Sequence, residues 1–291
     1  MASKSAFEAW KVDKIKTFAS VNAASPIGVE SLESASDFAV REIKRRCAAV
    51  NFALYESEEK STSAEDTAKA LKSFAARFGL TSAEMHRSMG DDGVVALSTS
   101  SAEGKRGYIP YTPRPLNWHT DGYYNDASKP IRAFALHCHA PAAEGGENQL
   151  IDPEMAYLRM RDENPDYVAA MFHPEAMVIP ANVENDGSVR APSIGPVFFV
   201  DGPSGRLQMR YTARTRSIEW RDDPVTLSAA AWMRDWLARE EDYVFSHRLK
   251  AGQGVLTNNV LHNRTGFVDD PDSNTKRMMM RMRFHDRISE G

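Results

Sequence analysis

Two histidines and a carboxylate stand along this chain in an order that could hold a divalent metal. His119 and Asp121 lie two positions apart in Leu116-Asn117-Trp118-His119-Thr120-Asp121, and on a strand that spacing turns both side chains to one face. A third ligand is available in His262, within Val260-Leu261-His262-Asn263-Arg264. Two imidazoles and one carboxylate on one side of an octahedron leave the other side open, which suits iron(II) with a chelating co-substrate and oxygen. The same ligands could hold zinc and a bound water, the arrangement of a hydrolase. The His-x-Asp pair is weak by itself. With 8 His and 40 acidic residues, roughly one H-x-[DE] arises by chance, and His173-Pro174-Glu175 is such a rival. Its proline is unsuited to a sheet ladder, and no comparable strand of arginines follows it.

The second chemical feature is the run Lys276-Arg277-Met278-Met279-Met280-Arg281-Met282-Arg283-Phe284. Read at period two, it places Arg277, Met279, Arg281 and Arg283 on one face and Met278, Met280, Met282 and Phe284 on the other. The second face is apolar and expected in the core. Arginines gathered on one face repel one another and are costly to desolvate unless anions meet them; surface salt bridging is the alternative. Tyr123 and Tyr124, with Trp118, flank the metal candidates and could form an aromatic wall or a cage for an ammonium group, or could simply pack. Arg210 and Arg214, in Arg210-Tyr211-Thr212-Ala213-Arg214-Thr215-Arg216, are candidates for a substrate anion or a solvated basic edge strand. His137 and His139 have metal-like spacing but no third ligand nearby in sequence, so wall or core histidines are expected.

Positioning these groups requires a β-rich core. Short apolar runs separated by Pro, Gly, Asn and Asp predict strands at 94–97, 131–139, 148–151, 197–200 and 254–256, with a hairpin signal at Asp201-Gly202-Pro203-Ser204-Gly205. Apolar stripes predict helices at 34–50 and 63–78, the second opened by an S-x-x-D signature at Ser63. Two more, near 153–171 and 224–239, read as insertions outside a barrel. No repeat or long linker divides the chain, so 1–291 is expected to be one domain, with a helical N-terminal part over 1–92 and a catalytic core over 93–291.

Composition narrows the function. Lys and Arg number 36 against 40 Asp and Glu, a formal charge of -4, so no global basic field gathers phosphate backbones and nucleic acid is not an expected partner. No apolar run reaches the roughly 20 residues of a membrane span. The charged residues of 1–20 interrupt any signal-peptide core. Cys47 and Cys138 stand alone, against a disulfide framework or a thiolate zinc site, and a reducing, cytoplasmic setting is expected. The expected partner is a small molecule; the oligomeric state is open.

The blocks Trp118-His119-Thr120-Asp121-Gly122-Tyr123-Tyr124, Leu136-His137-Cys138, Gly145-Gly146-Glu147-Asn148, Ile151-Asp152 and Val260-Leu261-His262-Asn263-Arg264-Thr265-Gly266-Phe267 resemble, in order and spacing, the taurine dioxygenase (TauD/TfdA-like) superfamily, which includes the γ-butyrobetaine hydroxylases. The resemblance covers about residues 90 to 285. It implies an α+β chain with a double-stranded β-helix (jelly-roll) core and flanking and inserted helices. It further implies an iron(II)- and 2-oxoglutarate-dependent oxygenase that uses O2 and releases succinate and carbon dioxide, with His119, Asp121 and His262 as the facial triad. By the same resemblance Arg277 meets the distal carboxylate of 2-oxoglutarate, and Arg281 meets either its proximal carboxylate or an anionic substrate. Asn148 stands where many relatives carry a hydroxyl residue toward that co-substrate. Asn263 replaces the usual glycine, and a longer turn at 269–273 is expected to absorb extra length. Hydroxylation of a small amino acid, sulfonate or other carboxylate is the leading expectation. The alternatives are a betaine-type hydroxylase, a zinc hydrolase and a non-catalytic jelly-roll binding module.

Overall fold

The strand Met278–Phe284 divides its side chains as period two demands. Met280, Met282 and Phe284 enter a core beneath helices, while Met279 faces the opposite way among Leu54, Val95 and Cys138. It lies inside a six-stranded sheet of order Ile27–Val29, Phe52–Ser57, Gln253–Thr257, Ala133–Ala140, Met278–Phe284, Val95–Ser98. Only the first pair is parallel; the others are antiparallel. A four-stranded antiparallel sheet of order Phe245–His247, Asn148–Ile151, Leu261–Arg264, Leu116–His119 faces it. Phe52, Phe134, Leu150, Val255 and Val260 fill the space between the sheets. Two facing, largely antiparallel sheets of this kind are a jelly roll, as expected. The computed structural model describes residues 4–59, 63–84, 93–99, 109–183, 187–216, 218–240, 242–270, 272 and 276–288. Residues 85–92 of the expected N-terminal part, and Pro271 and Ser273 of the expected long turn, lie outside these.

Six helices dress the barrel among the described residues: α1 Lys4–Ser20, α2 Asp37–Val50, α3 Ala64–Ala76, α4 Pro153–Glu163, α5 Pro165–Met171 and α6 Pro224–Leu237. Helices α2 and α3 cover the outer face of the larger sheet through Ile43, Cys47, Leu71 and Phe74. Helix α2 begins later than expected because the Ser36 hydroxyl accepts from the Ala39 N–H and fixes the start there. Ser63 caps α3 through the Asp66 N–H, as its signature predicts. The single helix expected over 153–171 is two. Pro165 forces Asn164 into an extended conformation (φ -158, ψ 114), and Asn164 ends α4 while capping α5. Both pack with α6 on the outer face of the smaller sheet, through Met160, Val168, Met233 and Trp236 against Ile151 and Leu261.

The N-terminal third is not purely helical, which corrects the expectation for 1–92. It supplies Ile27–Val29 and Phe52–Ser57 to the larger sheet. Phe52–Ser57 is buried on both faces, so it lacks the alternation that betrays a strand. The strand expected at 197–200 forms as Phe198–Val200, but pairs only with Leu207–Met209 in a hairpin turned through Asp201 and Gly205. It stands apart from both barrel sheets.

Helix α1 is pinned from inside. The buried Lys14 ammonium reaches Asp152 at 2.6 Å and Glu154 at 2.5 Å, and donates to the Ala49 carbonyl at 2.8 Å. Asp152 also accepts from Asn51 and caps α4, so one cluster joins α1, α2 and α4. Removing one partner of a buried ion network strands the remaining charges. Lys14→Ala is therefore expected to lower unfolding free energy by about 3 kcal/mol, measured by urea denaturation; a loss within experimental error would contradict this role.

Candidate metal centre

The two histidines meet because of strand register. His262 in Leu261–Arg264 sits directly across from His119, the last residue of Leu116–His119, and their ring centroids are 4.1 Å apart. Each Nδ1 lies 2.9 Å from the carbonyl two residues earlier, Asn117 for His119 and Val260 for His262. A carbonyl can only accept, so each Nδ1 carries the proton and each Nε2 keeps its lone pair. Burial pushes His119 down to about 3, helped by neighbouring His262, and burial likewise lowers His262. Both rings are thus neutral, the form that ligates a metal.

Asp121 arrives differently from expectation. The strand ends at His119, and Asp121 begins the turn that follows, so sheet alternation does not aim its carboxylate. Asn259 does much of that work. Its Oδ1 accepts from the Asp121 N–H at 2.8 Å, and its Nδ2 donates to the carbonyls of Asp121 at 3.0 Å and Ile131 at 2.7 Å. Asn259 itself is left-handed, with φ 53. Gly122 follows at φ 68, where a Cβ would collide with Ile131. With the segment so fixed, one ligand atom from each of His119, Asp121 and His262 lies within 4.8 Å of the others. This is the one such cluster among the described residues.

Burial alone would raise the Asp121 pKa, but Arg281 and Arg283 outweigh it and hold the carboxyl well below the usual range. Their Nη1 atoms stand 3.3 Å and 3.9 Å from Asp121 Oδ1. The other oxygen, Oδ2, is buried without a hydrogen-bond partner among the described residues. Two free imidazole nitrogens beside an orphaned, ionised carboxylate oxygen fit a divalent cation, since such an oxygen is otherwise costly to bury. The all-nitrogen-and-oxygen donor set suits iron(II).

Arg277 lies one residue before the terminal strand, buried, with its guanidinium 4.8 Å over the Phe267 ring. Gly146 lies beside it: a Cβ there would stand 3.6 Å from Arg277 Nε, an ordinary contact. No described residue accepts a hydrogen bond from this guanidinium, and burial lowers its pKa. Arg264 stacks on the same ring but is spent on the carbonyls of Thr112, Arg114 and Thr265. Asn148 opens its strand opposite Arg264, on the Leu150 face, which turns between the sheets. Thr265 ties down the neighbouring Gly146 and Glu147 N–H groups.

At the mouth, the rings of Tyr123 and Tyr124 meet edge to face at 5.1 Å. Arg214 lies 5.7 Å over Tyr123, with Arg190 and Arg283 at 5.8 and 6.0 Å over Tyr124. Arg283 also donates to the Tyr124 hydroxyl and pairs with Glu84 at 2.5 Å. Arg210 corrects an expectation. It is not an exposed arginine at the mouth: its two Nη atoms are consumed by Met177 O, Gly195 O, Ser193 O and Ser193 Oγ. His137 and His139 point away from the metal cluster to Tyr55 and Thr67, the wall role expected of them. His173 accepts from the Glu175 N–H. Sequence reasoning missed Asn259 and Glu84, which carry no motif. A left-handed Asn before a strand is the signal that structure adds.

The family model for taurine catabolism dioxygenase TauD, TfdA family, matches residues 62–283. Among solved structures, asparagine oxygenase in complex with Fe(II), 2S,3S-3-hydroxyasparagine and succinate aligns at TM-score 0.57 and 13% identity, covering 97% of this chain and 92% of that one. A taurine dioxygenase from Burkholderia xenovorans aligns at 0.56 and 16%, covering 89% and 86%. The PvcB protein from Pseudomonas aeruginosa aligns at 0.56 and 15%, covering 85% and 80%. At these identities the solved structures attest the fold, while the family match spans most of the chain. The chain belongs to the TauD, TfdA family and is an iron(II)- and 2-oxoglutarate-dependent dioxygenase.

Proposed function

We propose that His119, Asp121 and His262 hold the iron, that Arg277 takes the distal carboxylate of 2-oxoglutarate, and that the oxidised substrate is a small molecule bearing an anionic group, drawn in by Arg281 and Arg214. The observation that carries the metal assignment is the clustering within 4.8 Å of ligand atoms from two neutral imidazoles and the Asp121 carboxylate, whose Oδ2 has no other partner among the described residues. When bound, the metal with 2-oxoglutarate and O2 supplies the oxidising power for C–H hydroxylation, with succinate and carbon dioxide released.

The protein's own part is positioning. Carbonyl bonds at Nδ1 fix the ring planes of both histidines. Arg281 and Arg283 keep Asp121 ionised across the working pH range. A guanidinium fork, dry against Phe267, orients a carboxylate through two parallel hydrogen bonds. Arg277 without an acceptor among the described residues has no use in a zinc hydrolase, which favours the dioxygenase reading of these three ligands.

Substrate charge follows from the mouth. An ammonium cage needs free aromatic faces, yet Arg214, Arg190 and Arg283 already lie over Tyr123 and Tyr124. That disfavours the betaine alternative. Arg281, whose Nε is buried and unpartnered among the described residues, favours an anion, so carboxylates, amino acids and sulfonates are the class to test.

Two outcomes are expected. Arg277→Ala should raise the 2-oxoglutarate KM by at least about tenfold, the loss of one charged hydrogen-bonded pair, while iron content stays unchanged; an unaltered KM contradicts the assignment. Succinate release measured over a metabolite panel, with mass spectrometry of the products, should be stimulated by anionic small molecules. Stimulation confined to quaternary ammonium compounds contradicts the proposed substrate class.

A further inference from the structure

A cavity adjoins the Asp121 segment. It measures about 140 Å³ and is walled by Ala127, Pro130, Ile131, Pro196, Phe199 and Met209. Thr120, Asp121, Gly122, Tyr123 and Asn259 also line it. Of the residues proposed for iron and 2-oxoglutarate, only Asp121 lines it; His119, His262, Arg277 and Arg281 do not. Arg210 also lines it.

Arg210 is an unusual neighbour for an apolar cavity. It is 8% exposed, and burial lowers its pKa to about 10 with no carboxylate acting on it. Four backbone and hydroxyl oxygens satisfy its Nη atoms, but none neutralises the charge. Its Nε–H has no acceptor among the described residues. Two acids line the cavity and both are committed elsewhere: Asp121 to Arg281 and Arg283, and exposed Asp126 to the Ser128 N–H and hydroxyl. A buried cation with one spare donor, beside an apolar void, lacks an anion.

From this we infer that the cavity is a ligand site, distinct from the catalytic centre, for a small monocarboxylate whose carboxylate meets Arg210 and whose short apolar chain fills the void. Size sets the class: a cavity of about 150 Å³ accommodates a molecule of benzene's dimensions, about six heavy atoms, which matches a chain of three to five carbons. A dicarboxylate would place its second charge against Phe199 and Met209. The ligand would also rest on the backbone that carries Asp121, so the site is placed to report occupancy to the metal centre.

Butyrate is a suitable probe, and calorimetric titration of the full-length protein reads its binding directly. Saturable binding is expected in the wild type. Ala127→Trp, at an exposed position on the cavity wall, should weaken it at least tenfold by occupying the void. Arg277→Ala should leave it within about twofold, because the co-substrate arginine does not line the cavity. Butylamine should not bind. Absence of saturable butyrate binding, equal binding by Ala127→Trp, loss in Arg277→Ala, or equal binding of butylamine would each overturn the inference.

Discussion

Register is the constraint on which this molecule turns. His119 and His262 come from segments far apart in sequence, and they meet because Leu116–His119 and Leu261–Arg264 pair with those two residues in direct opposition. A slip of one residue would turn one histidine out of the barrel, since side chains alternate faces. Much of the fold holds that register. Leu261–Arg264 is also paired on its other side with Asn148–Ile151, while α4 to α6 press on the back of this sheet. The register breaks just beyond, between His262 and Arg264, where the pairing has already done its work.

The charged groups inside follow from what the two sheets enclose. A buried carboxylate would take up a proton if left alone; Asp121 is kept ionised by arginines from the terminal strand, whose other face is a row of apolar side chains under α2 and α3. One strand therefore anchors the core with one face and sets the electrostatics of the metal centre with the other. Arg283 extends this outward, joining Asp121 to Glu84 and Tyr124. The same desolvation argument distinguishes the buried arginines. Arg264 has its carbonyls and is structural, whereas Arg277 lacks an acceptor among the described residues and is suited to an incoming carboxylate.

What the sequence made legible was whatever depends on local periodicity or ordered motif. The two faces of Met278–Phe284, the cap at Ser63, the hairpin at Asp201 and the three metal candidates could all be read from residue type and spacing. Three kinds of feature could not. Phe52–Ser57 is buried on both faces and shows no alternation. Helix α1 does not gather its apolar residues on one side, because Lys14 faces inward to Asp152 and Glu154. The roles of Arg210 and Asn259 depend on backbone groups brought near by the fold, and nothing in residue type announces a clamp on distant carbonyls. Arg210 misled for that reason: from sequence, an arginine among polar residues looks solvated, and only the carbonyls of Met177, Ser193 and Gly195 reveal that it is buried with both Nη atoms engaged.

The central claim is that His119, Asp121 and His262 together present an iron(II) site open to a chelating 2-oxo acid. Visible absorption during anaerobic titration with iron(II) and then 2-oxoglutarate tests it most directly. The wild type is predicted to develop the charge-transfer band of the chelate at one equivalent of iron, and His262→Ala, folded as judged by circular dichroism, to lack it. A wild type that binds 2-oxoglutarate without that band, or a His262→Ala variant that retains it unchanged, would contradict the account.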